Sequence, residues 1–221
     1  MSELNEREYR FFIDKIKNKE YFSYLNFGDG EWSFIFNKKA NSEREIYYEE
    51  ARKELIEAIK LGKEKDVYLS SIDDEIPDAV DLLVSPYQKE LKDGRMLYKV
   101  IWALNHQEKE ATKLTLEFFD LIKDAVFVGN TELDFKNVIK TKSPGATEQR
   151  EINRVEQEIL SYGKPGIYIF SCGVAGNILI KRLHGKINNS FLLDLGAFFD
   201  FFYGKGVRAM TQFDNLWKIK Q

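Results

Sequence analysis

The sequence contains one cysteine, Cys172, so no internal disulfide can form, and a chain without bridges fits a reducing compartment. It has two histidines, His106 and His184, and neither forms a His-x-x-x-His or Cys-x-x-Cys spacing, which excludes the usual zinc patterns. Both read as surface or capping residues. No apolar run approaches the roughly 20 residues needed to cross a bilayer. Charge of one sign is also missing: 33 basic residues stand against 36 acidic ones, a formal net charge of -3. That balance argues against a dedicated nucleic-acid binder, whose affinity would come from a basic face. The start, Met1 to Arg7, is polar and acidic with no apolar segment behind it, so no signal peptide is expected and a cytoplasmic location is. There is no internal repeat and no low-complexity linker.

What is present is material for a core. Hydrophobic residues make up 43% of the 221 positions and aromatics 14%. Short runs rich in branched and aromatic residues alternate with longer amphipathic stretches, the pattern of βαβ units. The expected architecture is one Rossmann-like α/β domain over 1–221, with a mostly parallel sheet flanked by helices. Strands are expected over 21–27, 67–70, 125–129, 166–171 and 190–195. Helices are expected over 6–17, 48–61, 107–122, 147–162 and 175–183. In the fourth of these helices Ile152, Val155, Ile159 and Leu160 share one face, with Glu and Gln on the other. Residues 95–104 suit either a helix or a buried strand, and 73–86, with Pro77 and Pro86, suit a loop.

Three motifs could carry chemistry. The first, Asn26-Phe27-Gly28-Asp29-Gly30-Glu31-Trp32, follows a strand-like run. On an extended or gently kinked backbone Asp29 and Glu31 would share one side, with Cα atoms about 6–7 Å apart. Two such hard oxygen donors suit Mg²⁺ or Mn²⁺. Gly28 and Gly30 would permit positive φ and close approach of a phosphate or sugar. The competing reading is an ordinary turn, because Asp-Gly favours one and Glu31 could simply be solvated.

The second motif, residues 170–177, runs from a strand through Ser171, Cys172 and Gly173 into a helix. Helix-terminal N–H groups there would hold an anion, with Ser171 adding a hydroxyl donor. It matches neither the dinucleotide fingerprint nor a Walker loop, and a tight connection needing small residues for packing explains it equally well. A nucleophilic Cys172 is disfavoured, since no histidine pairs with it in a recognisable pattern.

The third motif, residues 192–200, places Asp194 at a strand's carboxyl end, where open α/β sheets put their ligands. Asp194 and Asp200 are the candidates for a base or a sugar-orienting carboxylate. Asp200 has the competing role of an acid in a first helical turn. Lesser candidates are Asp73-Asp74-Glu75, Arg95, Asn130 and Arg208, the last as a tail residue closing over a diphosphate.

In this order and spacing, Phe27-Gly28-Asp29-Gly30-Glu31, the strand–Gly–helix segment 170–176 and the Asp194–Asp200 segment resemble the GT-D fold glycosyltransferases, once catalogued as a domain of unknown function. The Phe-Gly-Asp-Gly-Glu string is the most specific element, and the middle of the chain matches by pattern alone. The resemblance implies a UDP-sugar donor, a glycan or glycosylated acceptor, and a divalent metal held through Asp29 and Glu31. Gly28, Gly30, Ser171, Gly173 and Arg208 would then line the nucleotide-sugar. Two positions depart from the family: Asn26 stands where many relatives have arginine, and Ala197 where many have His or Ser. Two rivals remain. An S-adenosylmethionine-dependent methyltransferase would explain the Asp-x-Gly strand end, although that motif belongs near the start of such a domain. A non-catalytic nucleotide- or glycan-binding module would keep the fold without turnover.

Overall fold

In a computed structural model, described for residues 3–40, 45–71, 109–130 and 135–196, six strands form one sheet in which every pairing is parallel. They are β1 (Ser23–Phe27), β2 (Val67–Ser71), β3 (Val126–Gly129), β4 (Asn137–Lys140), β5 (Ile167–Ser171) and β6 (Phe191–Asp194). The helices are α1 (Glu3–Lys17), α2 (Asp29–Phe36), α3 (Glu49–Ile59), α4 (Lys109–Ile122), α5 (Gln149–Tyr162) and α6 (Val174–Leu183). A short 3₁₀ turn, Lys60–Lys63, extends α3.

The strand order is β2-β1-β6-β5-β3-β4. The steps β1 to β2, β4 to β5 and β5 to β6 all run the same way across the sheet. Right-handed crossovers therefore put α2, α3, α5 and α6 on one face. The step from β2 to β3 runs the other way, and α4 joins α1 on the opposite face.

The strands supply both cores by alternation, because a parallel sheet covered on both sides has no solvent face. Leu25, Phe27, Val126, Val128, Tyr168, Phe170 and Leu192 pack under α2, α3, α5 and α6. Phe22, Tyr24, Phe127, Ile169, Phe191 and Leu193 pack against Tyr9, Phe12, Ile13 and Ile16 of α1 and Leu114, Phe118 and Ile122 of α4. The i, i+3, i+4, i+7 spacing on α1 makes that buried stripe. Each fully buried large side chain contributes about 1.5–3 kcal/mol.

All five expected strands and five expected helices are present, with ends shifted by up to three residues. Two elements were not anticipated. Strand β4 is a four-residue edge strand, and α2 begins on Asp29 itself. One face assignment is also corrected: Glu151 and Glu156 of α5 are buried rather than solvated. Glu151 accepts the Lys142 N–H at 2.9 Å and the Arg154 guanidinium, while Glu156 is held by Arg182 and Lys186. No helix among the described residues is long and apolar enough to cross a membrane.

Candidate functional site

The site forms at the carboxyl end of β1, β6 and β5. Strands β1 and β6 pair only through Ser23–Leu192 and Tyr24–Leu193. Beyond these pairs the buried Asn177 of α6 takes both backbone groups of Asn26. Its Nδ2 donates to the Asn26 carbonyl at 2.7 Å, and its Oδ1 accepts the Asn26 N–H at 3.1 Å. The sheet therefore opens here with both backbone groups of Asn26 still paired.

Asp29 and Glu31 do not lie on an extended backbone. Gly28 caps α2 with φ -95, so Asp29 and Glu31 occupy its first turn. Residues two apart on a helix point to different sides. Asp29 is exposed, and Glu31 folds back to accept the Gly28 N–H at 2.8 Å. Glycine has no side chain, so this is only the returning arm of a capping box. The carboxylates help α2 start, because acids in a first turn oppose the helix dipole. Neither Gly28 nor Gly30 adopts a positive φ, correcting that expectation, although a Cβ on Gly30 would meet only open space. The local pattern held the signal: a capping position, an acid three residues on, then Trp32, Phe34 and Ile35.

The positive φ belongs instead to Gly173, at +59, which caps α6. Beside it lies a residue that the sequence reading missed. The Glu45 Oε1 accepts the Val174 N–H at 2.9 Å, at the N-terminus of α6. A Cβ on Gly173 would fall 1.9 Å from that oxygen, so only glycine admits the carboxylate. Nothing local distinguishes Glu45 within the polar stretch Asn41-Ser42-Glu43-Arg44-Glu45.

Asp194 ends β6 at 1% exposure and turns toward the α6 layer. Its Oδ1 accepts the Gly196 N–H at 2.9 Å. Gly176 makes room for it, since a Cβ there would lie 3.3 Å from both the Asp194 Cγ and the Phe170 Cβ. Ser171 donates its hydroxyl hydrogen to the Gly196 carbonyl at 2.6 Å, tying β5 to the turn after β6. That hydrogen is committed, and the oxygen lone pairs are what remain for a ligand. Asn130 is exposed at the end of β3. Asp200, Arg208, Ala197, Arg95, His106 and Asp73-Asp74-Glu75 lie outside the described residues.

Burial raises the Glu31 carboxyl to about 7, with Glu45 and Asp29 adding repulsion. Glu45 is raised by burial first and then by Asp29, against the pull of the Val174 N–H. Asp194 is raised well above the carboxylate range by burial, with Glu31 the next contributor and Glu45 adding to it. Cys172 is pushed up by burial, and Asp194, Glu45 and Glu31 oppose its ionisation further, which leaves no activated thiolate. Glu31, Glu45 and Asp194 thus crowd one strand end beside Asp29, and among the described residues no cation shifts these three. Hard carboxylate oxygens at this density match the donor chemistry of Mg²⁺ or Mn²⁺. Among the described residues no three His, Cys, Asp or Glu side chains are already arranged as a metal cage.

Solved structures share this arrangement of elements. One, described as a selenomethionine-substituted domain of unknown function 1792 (DUF1792), superposes with a TM-score of 0.60 over 98% of this chain and 96% of its own, at 13% identity. The chain has the DUF1792 fold. A new glycosyltransferase (DUF1792) from Streptococcus sanguinis matches with a TM-score of 0.57 over 88% of this chain and 83% of its own, at 12% identity. A third is described as a highly conserved DUF1792 domain with a distinct glycosyltransferase fold; it matches at 0.56 over 94% and 90%, again at 12% identity. No protein-family model matches the chain, and no curated protein sequence does. The DUF1792 fold is thus recovered from backbone geometry at an identity where side-chain roles do not transfer automatically.

Proposed function

We propose that this protein is a metal-dependent glycosyltransferase that moves a sugar from a UDP-sugar to an acceptor hydroxyl. The observation that carries this reading is the crowding of Asp29, Glu31, Glu45 and Asp194 at the strand ends, beside the α6 N-terminus. The DUF1792 fold supports it, because one protein sharing that fold is described as a glycosyltransferase. In the wider setting this gives a role in glycan, polysaccharide or glycoprotein assembly.

Asp29 and Glu31 are the residues that would hold Mn²⁺ or Mg²⁺. They leave different sides of the first turn of α2, so Glu31 would turn from the Gly28 N–H to share one ion with Asp29. A bound divalent ion supplies charge stabilisation to a departing diphosphate. The α6 N-terminus, opened by Gly173, presents N–H groups and the positive end of the helix dipole to phosphate oxygens. Glu45 now satisfies the Val174 N–H, so a diphosphate at that amide competes with the Glu45 carboxylate. The open space over Gly30 lets a ligand approach the first turn of α2. Asp194 holds the turn at Gly196 and so sets where the chain leaves β6. Asp194 and Asp200 remain the candidates for the carboxylate that orients the sugar or takes the acceptor proton, a contribution of about 10²–10⁴-fold. Arg208 is the candidate for a further diphosphate contact.

Thermal-shift titration tests this, because a ligand that binds only the folded state stabilises it. UDP should raise the melting temperature when Mn²⁺ is present, and the shift should vanish in Asp29→Ala and Glu31→Ala. Stabilisation by S-adenosylmethionine alone would overturn the proposal in favour of a methyltransferase. Metal-dependent UDP binding without sugar hydrolysis or transfer, across a panel of glycan acceptors, would reduce the protein to a binding module.

A further inference from the structure

A second concave site lies on the same edge of the sheet, away from the acids. Its cavity, about 670 Å³, is lined by Lys140, Thr141, Lys142, Arg150, Glu151 and Arg154. In a chain of net charge -3, four cations around one cavity is a local reversal of sign.

The four are not equivalent. Lys142 pairs with Glu148 at 3.2 Å. Arg154 is fixed on three sides: Glu151 takes its Nε and one terminal nitrogen, Glu158 takes the other at 2.6 Å, and the Lys140 carbonyl accepts a further N–H at 2.6 Å. A guanidinium has five donors, so one N–H of Arg154 is still unspent. Lys140 and Arg150 have no carboxylate in ion-pair reach among the described residues, and both are exposed. Arg150 and Arg154 are four apart on α5, hence on one face of the helix. Lys140 ends β4, directly beneath that face, as its carbonyl bond to Arg154 requires. Uncompensated positive charge at Lys140 and Arg150, beside the one unspent N–H of Arg154, suits an oxyanion such as phosphate.

Position links this cavity to transfer. From β1, whose end carries Asp29 and Glu31, to β4 the sheet order crosses four strand spacings, which is about 19 Å. Both sites sit at carboxyl ends of parallel strands, so one extended ligand can reach from one to the other. We propose that the cavity between Lys140, Arg150 and Arg154 seats a phosphate group of the acceptor, while the hydroxyl to be glycosylated lies near Asp29 and Glu31. The acceptor assignment rests on the glycosyltransferase reading; the anion site itself does not.

Titration of the full chain with inorganic phosphate by calorimetry, without metal, tests the site. Lys140→Ala/Arg150→Ala should weaken phosphate binding by about tenfold or more and leave Mn²⁺–UDP binding unchanged. Both side chains are exposed, so the fold should survive, and Arg150→Gln alone should lose part of the affinity. Acetate should bind more weakly than phosphate to the unaltered protein. Equal phosphate affinity in the double variant and the parent, or no phosphate binding by the parent, overturns the site. Flotation with phosphatidylcholine vesicles carrying phosphatidic acid separates the two sources of phosphate. Retention that the double variant loses places the phosphate on a lipid; no retention places it on a soluble acceptor. If phosphate binding depends on Lys140 and Arg150 while UDP never binds, the acceptor assignment falls and the anion site stands.

Discussion

Two groups of glutamates on the same side of the sheet behave in opposite ways. Where α3, α5 and α6 meet, Glu54 and Glu156 flank Arg182, whose side chain is 13% exposed. Arg182 holds Glu54 below the usual carboxylate range, and at Glu156 Lys186 and Arg182 together overcome the effect of burial. At the strand ends, Glu31 and Glu45 have backbone N–H partners and other acids for neighbours, and both are raised. The residue type is the same. One cluster is neutralised by the protein's own cations and fastens three helices together. The other has no such cation among the described residues, and the fold bears the repulsion. Under the proposed function the uncompensated cluster is where the metal would bind, whereas the compensated one is a structural joint.

The sharpest way to break this contrast is to remove the acids. Asp29→Ala and Glu31→Ala should each lower sugar transfer by about 10²–10³-fold, the scale of losing one preorganised electrostatic contact. Steady-state rates, with folding checked by circular dichroism, decide it. A variant that keeps its rate would make the strand-end acids structural too.

Next in size, Arg182→Ala should cost about 2–3 kcal/mol of stability in a urea melt, between the values for buried and surface pairs. It takes the shared guanidinium from two carboxylates at 21% and 11% exposure, which are left with Lys181 and Lys186 respectively. Transfer under folded conditions should be unaffected.

Glu31→Gln should act through pH. In chelator-treated protein the folded Glu31 titrates at about 7. The unfolded group titrates near 4.3. Between these values the folded state binds the extra proton, so stability should fall as pH rises from about 4.5 to 7 and then level. Gln can still accept the Gly28 N–H, so the variant should flatten that decline and be more stable than the parent at pH 8. Melting temperatures across pH 4.5–8 would show it. The compensated acids have the opposite sign: stability from Glu54 and Glu156 is lost only as pH drops below the ordinary carboxylate range. The smallest effect is expected from Lys60→Ala, which removes the Glu57 pair, 53% and 51% exposed. It should change stability by no more than about 0.5 kcal/mol.

Much of the fold was legible because its signals are local. Runs such as Val126-Phe127-Val128 and Ile167-Tyr168-Ile169-Phe170 read as strands buried on both faces, and the stripes on α1 and α5 read as helices. Strand β4 escaped notice because four residues at a sheet edge carry too little pattern. Asp29 and Glu31 stood out by composition, yet their conformation did not. Asp-Gly suggests a turn, and what tips it into α2 is the burial of Trp32, Phe34 and Ile35 beneath it.

The sequence by itself determined the α/β class, the parallel sheet and the concentration of acids after the first and last described strands. Hydrophobic period and residue type act over a few neighbours, and they suffice for that. Only the tertiary structure decided which acids meet. Glu45 reaches the α6 N-terminus across a separation of 129 residues, and Asn177 reaches the Asn26 backbone across 151. Those contacts follow from how helices cross a twisted sheet, which no short window of sequence encodes.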